Sequence, residues 1–129
     1  MRKAIRIGLA GLMATTILSV APAAFAQGRG GVTASGSCSA ASVWKLSLKP
    51  DNGQIEADFE VDQNIVGNTW KVKMSDNGTQ FFKGKRVTQA PSGSFEVRKL
   101  TADLAGSDTV VATARNLSTG ETCTGQATL

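Results

Sequence analysis

The sequence predicts an all-β fold, an antiparallel sandwich of two sheets and seven strands that is tied by one disulfide bond. From Val43 onward, apolar and polar residues alternate with a period of two, and turn residues interrupt this alternation at short intervals. No later segment has the apolar spacing of a helix. The predicted strands span residues 43–49, 54–62, 69–75, 79–87, 94–100, 108–115 and 121–128.

The N-terminal 26 residues have the pattern of a bacterial-type secretion signal. Three cations occur within the first six residues, an apolar run covers 7–20, and Ala24-Phe25-Ala26 provides a small-x-small cleavage site before Gln27. We therefore expect a secreted, extracellular protein. Residues 27–37 are rich in Gly and Ser and are expected to form a flexible tail. Residues 38–129 form the predicted β-sandwich domain.

The charge of the mature chain is close to neutral. Of the 14 Lys and Arg residues, three belong to the signal, so 11 cations face 10 Asp and Glu residues, a net charge of +1. This balance argues against nucleic-acid binding. No second apolar stretch is long enough to span a membrane, so we expect no membrane contact after signal cleavage. We expect a monomer.

The composition also excludes several kinds of chemistry. The chain has no His, which excludes His-activated nucleophiles and His metal sites, and its two Cys residues match no zinc-ligand spacing. Ser42 and Lys45 have the Ser-x-x-Lys spacing, but on a strand they point to opposite faces. We expect no cofactor, no metal and no enzymatic activity.

Cys38 and Cys123 are predicted to form a disulfide bond. Export to an oxidising compartment favours the bond. With up-and-down strands, the first and seventh predicted strands start at the same end of the domain. Cys38 lies just before the first of these strands and Cys123 near the start of the seventh, so the topology brings them together.

The first predicted hairpin turns at Pro50-Asp51-Asn52-Gly53. Placing Leu48 opposite Ile55 puts the apolar residues of both strands on one face, with Trp44 opposite Phe59. The outward acidic residues of the second strand resemble a cation site, but they lie along extended chain and are interpreted as a solvated face. These residues are Glu56, Asp58, Glu60 and Asp62.

The second predicted hairpin turns at Asp76-Asn77-Gly78. A three-residue loop places Val72 opposite Phe82 and turns Phe81 outward. A two-residue loop would direct Lys83 and Lys85 into the core, where unpaired ammonium groups are costly. We therefore predict the three-residue loop.

This loop predicts a cationic outer face with an exposed aromatic side chain. Such a face suits an anionic polymer or an extracellular protein partner, whereas the alternative is a solvated strand pair. A second hypothesis is a small inhibitor of an extracellular enzyme that acts through a rigid loop at 116–120 or 63–68. The candidate binding residues are Lys71, Lys73, Phe81, Lys83, Lys85 and Arg115.

Trp70 on the third predicted strand, and segment 103–108 followed by inward Val110, Ala112 and Ala114, resemble a fibronectin type III or immunoglobulin-like domain. The chain is also similar to small secreted single-domain bacterial proteins of unassigned function. The resemblance implies a non-enzymatic binding or adhesion module. Val110 stands where the corner tyrosine of that superfamily would be. The predicted core comprises Trp44, Phe59, Trp70, Val72, Phe95 and Val110.

Overall fold

Eight antiparallel strands form two four-stranded sheets in the computed structural model, which describes residues 30–129. The predicted signal segment, 1–26, lies outside the described residues. The first sheet has the order β1-β2-β3-β6 and the second β5-β4-β7-β8. The strands are β1 Val32–Ser37, β2 Val43–Asp51, β3 Gln54–Asp62, β4 Thr69–Asp76, β5 Thr79–Val87, β6 Ser94–Ala102, β7 Thr109–Asn116 and β8 Thr122–Thr128.

The predicted fold class is confirmed, with one strand more than expected. Strand β1 lies within 27–37, the segment expected to be a flexible tail, and it pairs with β2 along its whole length. The tail prediction is therefore wrong for residues 32–37. Val32 is buried. At Gly36 a side chain would clash with the indole of Trp44, which lies 2.9 Å from the position that a Cβ would take. The architecture is compatible with an immunoglobulin-like or fibronectin type III-like fold.

The hairpin between β2 and β3 turns through two residues, Asn52 and Gly53, whose φ angles are +49° and +79°. Ile55 therefore pairs with Pro50 and not with Leu48 as predicted. The predicted register was wrong by two residues. Because two is the period of a strand, the shift leaves every apolar side chain on the expected face.

The hairpin between β4 and β5 also turns through two residues, Asn77 and Gly78, so the predicted three-residue loop is wrong. A β-bulge follows at Met74, which pairs with Phe82, while Phe81 is the extra residue. The bulge shifts β5 by one position, and this shift keeps its lysines out of the core.

Side chains from both sheets fill the space between them. Phe59, Val72, Phe95 and Val110 are buried as predicted, and the Trp70 ring contacts the Phe95 ring at a centroid distance of 5.9 Å. Trp44 differs, because it is only partly buried, between Gly36 and Gly125 at one open edge of the sandwich.

The predicted disulfide bond is present. Cys38 follows β1, Cys123 lies on β8, and their Cα atoms are 4.4 Å apart. The adjacent Glu121 is buried and accepts hydrogen bonds from Ala40 N at 3.0 Å and from Ser42 Oγ at 2.6 Å. Bond and carboxylate together join the β1–β2 loop to the start of β8.

Candidate functional site

The outer face of the second sheet carries a group of exposed cations, which we call the cationic face. Strand β4 directs Trp70, Val72 and Met74 into the core, so its odd-numbered residues point outward. The bulge gives β5 the matching alternation, and β7 contributes one residue from its end. The cationic face consists of Lys71, Lys73, Lys83, Lys85 and Arg115, all exposed.

The sheet register places these cations directly opposite one another. Lys71 pairs with Lys85 on one side and with Arg115 on the other, and Lys73 pairs with Lys83. Like charges that face each other across strands destabilise a sheet. The other outward positions of these four strands hold Thr, Ser, Gln and Val residues, and none holds a carboxylate.

The outer face of the first sheet has the opposite arrangement. Lys45 pairs with Glu60 and Lys49 with Glu56. Arg98 donates to Asp58 at 3.0 Å, and this hydrogen bond raises the pKa of the guanidinium. Within residues 30–129, all four ion pairs lie on this face. Carboxylates therefore outnumber cations on the outer face of the first sheet, and several of them are paired, whereas the cationic face has no internal counter-charge.

A depression of about 500 Å³ crosses the cationic face between β4 and β8. It lies between the cations Lys71, Lys83 and Arg115 and the side chains of Thr113 and Thr124. Ammonium and guanidinium groups donate hydrogen bonds and cannot accept them, while hydroxyls do both. The depression therefore favours ligands rich in anionic acceptor groups.

Phe81 does not belong to this face, contrary to the sequence prediction. It is half-buried and packs against the core, as does Phe82. The Phe82 ring lies over Gly84, with the Arg86 guanidinium 5.2 Å and the Lys99 ammonium 5.4 Å from its centroid. Lys99 belongs to β6, so this cluster covers the open edge between the two sheets. Sequence reasoning missed it because it depends on the bulge and on pairing between distant strands.

The loops suggested for inhibition lie together at the end of the sandwich that carries the disulfide. Gln63 accepts a hydrogen bond from Trp70 Nε1 at 3.0 Å and donates one to Asn68 at 3.1 Å. Asn68 also accepts one from Asn116 at 3.0 Å, and Leu117 N donates to Thr69 O at 2.9 Å. These bonds fix loops 63–68 and 116–120 to the core. Their exposed apolar side chains are Ile65, Val66 and Leu117.

The opposite end of the sandwich contains a buried carboxylate pair. Asp76 and Asp108 are 2% and 1% exposed, and within the described part of the chain neither Asp76 oxygen has a hydrogen-bond partner. Burial, followed by the neighbouring Asp108, raises the pKa of Asp76 to about 6. Asp108 accepts a hydrogen bond from Leu104 N at 3.1 Å. Because both carboxylates are buried, we expect the pair to influence the stability of the domain.

Two further observations concern chemistry and membranes. Among residues 30–129, no group of three or more Cys, Asp and Glu side chains is arranged to hold a metal ion. Over the same range, no helix is long and apolar enough to cross a membrane. Ser42 is buried against Glu121, whereas Lys45 is exposed on the outer face, so the Ser-x-x-Lys spacing does not form a site.

Comparisons with protein-family models, with curated proteins and with solved structures find no significant match for this chain.

Proposed function

We propose that this chain is an exported, non-enzymatic binding domain of the immunoglobulin-like or fibronectin type III-like kind, and that its cationic face binds an anionic polymer or an acidic partner. The observation that carries the proposal is the register of the face, in which Lys71 opposes both Lys85 and Arg115. The buried Trp70 on β4 supports the finer fold resemblance.

The spacing of the five cations determines how strongly they repel one another. Neighbouring strands lie about 4.8 Å apart and outward residues repeat about every 6.7 Å along a strand. The five cations therefore lie within about one to two Debye lengths of one another at physiological salt, where that length is about 8 Å. Their mutual repulsion is only partly screened. An anionic ligand would relieve it, and this relief adds to the direct attraction.

A matched pair of double variants tests the proposal. Lys71→Gln with Lys83→Gln removes two charges from the cationic face, while Lys45→Gln with Lys49→Gln removes two exposed charges from the other face. We expect the first pair to weaken binding of dextran sulfate and poly-L-glutamate at least tenfold at low salt, and the second to change it less than twofold. Microscale thermophoresis over a salt series measures both.

Stability provides an independent readout in the same variants. Removing repelling charges from the cationic face should leave the melting temperature unchanged or raise it. Lys85 and Arg115 each lose the like charge of Lys71, and Lys73 loses that of Lys83. Equal weakening of binding by both double variants, or binding that does not depend on salt, would overturn the proposal.

The loops of the disulfide end support a second candidate function, inhibition of an extracellular enzyme. Ile65, Val66 and Leu117 are 55%, 52% and 47% exposed on loops that hydrogen bonds hold in place. A rigid loop with exposed apolar side chains is preorganised to enter a cleft. Ile65→Ser with Val66→Ser should then abolish inhibition of purified secreted proteases or glycosidases and leave polyanion binding unchanged. An unmodified domain that inhibits none of them would exclude this candidate for that panel.

A further inference from the structure

Strand β8 is an edge of the second sheet, and its outer backbone groups can be identified from its pairing with β7. Asn116 N donates to Glu121 O at 2.8 Å, and Asp108 and Leu129 exchange two hydrogen bonds of 2.9 Å. Bonded pairs alternate with non-bonded pairs in an antiparallel ladder, so every second residue of β8 turns its backbone away from β7. At the end nearest the disulfide, the outward groups belong to Thr122 and are already bonded. Its C=O accepts a hydrogen bond from Ser39 N, and its N–H donates one to Ser39 Oγ.

Three further residues of β8 direct their N–H and C=O groups to the open edge, namely Thr124, Gln126 and Thr128. All three are exposed, and none of the backbone hydrogen bonds outside the strand ladders involves them. The β7–β8 ladder therefore leaves six backbone groups of these residues without a partner within the described part of the chain.

This edge lacks the features that usually prevent strand addition. Strand β8 contains no charged residue, no proline and no bulge. The other edge of the same sheet, β5, carries Lys83, Lys85, Arg86 and a bulge, and the β6 edge of the first sheet carries Glu96, Arg98 and Lys99. Strand β1 is also uncharged, but it belongs to the first sheet, whose outer face carries more carboxylates than cations and would repel an acidic strand.

We propose that the β8 edge binds an extended, acidic segment of a partner polypeptide, which pairs with Thr124, Gln126 and Thr128 as a ninth strand. Its outward carboxylates would lie about two strand spacings, roughly 10 Å, from β7. On β7, Arg115 pairs with Thr122 and lines the same depression as Thr122 and Thr124. Main-chain hydrogen bonds would supply affinity and the charge complementarity would supply selectivity.

Charge also decides between this partner and a second copy of the chain. Two β8 strands paired across a twofold axis would join two cationic sheets into one, which like-charge repulsion disfavours. A polysaccharide could use the cationic face but has no backbone amides to pair with the edge. That the partner segment is negatively charged rests on the proposed function, while its backbone pairing with β8 is an additional claim.

The test uses a blocked ten-residue peptide of alternating Glu and Val. The protein variant is Gln126→Pro, which removes an outward N–H and no bond to β7, and the control is Gln126→Ala, which keeps the N–H. We expect Gln126→Pro to weaken peptide binding at least tenfold and Gln126→Ala less than twofold, with dextran sulfate binding unchanged in both. Peptide binding should slow hydrogen exchange at the amides of Thr124, Gln126 and Thr128.

A second probe keeps the test decisive if Gln126→Pro does not fold. The same peptide, N-methylated at alternate residues, retains its charge but cannot complete the ladder, and it should bind the unmodified protein at least tenfold more weakly. Equal binding of the methylated and unmethylated peptides would overturn the strand pairing and leave the cationic face intact. Equal binding of a Lys-Val peptide would overturn the charge selection and count against the proposed function as well. Dimerisation that Gln126→Pro abolishes would favour a second copy instead.

Discussion

Replacing Asp76 with Asn should stabilise the domain at neutral pH, although the substitution changes a buried side chain. Asp76 is 2% exposed and neither of its carboxylate oxygens has a partner among the described residues. An amide is uncharged, has nearly the same shape, and can donate a hydrogen bond to Asp108. The variant therefore removes an unfavourable charge without creating a cavity.

The magnitude follows from the pKa. Burial and the neighbouring Asp108 raise the pKa of Asp76 from 3.8 to about 6 in the folded state. A difference of about two pKa units corresponds to a free energy on the order of 3 kcal/mol. Because the folded state holds the proton more tightly, the protein loses this stability as pH rises from about 4 through 6. The nearby Asp103 has the same sign of shift, since its hydrogen bond with Asp108 also raises its pKa.

Urea unfolding of the wild type and of Asp76→Asn between pH 4 and 8 measures the effect. The variant should be more stable by up to a few kcal/mol above pH 7, and the difference should shrink toward zero near pH 4. Asp51→Asn at the turn of the other hairpin is the control, and we expect it to change the stability little because Asp51 is not buried. A variant that is less stable than the wild type at pH 7.5 would refute the reasoning. Stabilisation of the wild type alone by added calcium would show that a cation, not a proton, bridges the carboxylates.

Three further predictions concern the fold. Replacing Cys38 and Cys123 with Ala should lower the unfolding free energy by ~4 kcal/mol while retaining a β-type circular dichroism spectrum, and a loss below 1 kcal/mol would count against the cross-link. Trp70→Ala should lower the free energy of urea unfolding by roughly 3–5 kcal/mol, and a loss as small as that of an exposed residue would contradict its buried position. Gly125→Val should displace the Trp44 indole, at a cost of about 1–3 kcal/mol and with a red shift of tryptophan emission, and an unchanged spectrum would contradict that packing.

Most of the fold could be predicted from the sequence because each strand has one buried face and one solvent-exposed face. Period-two alternation therefore located seven strands to within a residue or two. Strand β1 was missed because its inward residues include Ala34 and Gly36, which are too small to give an apolar signal. A side chain at Gly36 would clash with the Trp44 ring. This contact depends on the tertiary structure, so the sequence alone does not show it.

Lys83 and Lys85 point outward as the sequence predicted, although the predicted hairpin loop is wrong. A three-residue loop without a bulge and a two-residue loop with a bulge both shift β5 by one residue, so Lys83 and Lys85 point outward in either case. The difference falls on the extra residue, Phe81, which packs against the core and does not lie on the face. The backbone direction of β8 and the approach of Asp76 to Asp108 depend on distant pairing, which local pattern cannot specify.

The distribution of acidic residues is the strongest argument that the cationic face is more than a by-product of composition. The chain has 10 Asp and Glu residues, enough to neutralise every exposed cation of both sheets. Six of them occupy outward positions on the first sheet, and none occupies an outward position on the four strands of the second. A single Glu in place of Thr113, which pairs with Lys73, would form a cross-strand ion pair. A face that only had to remain solvated would gain stability from such a residue, whereas a face that binds anions would lose affinity.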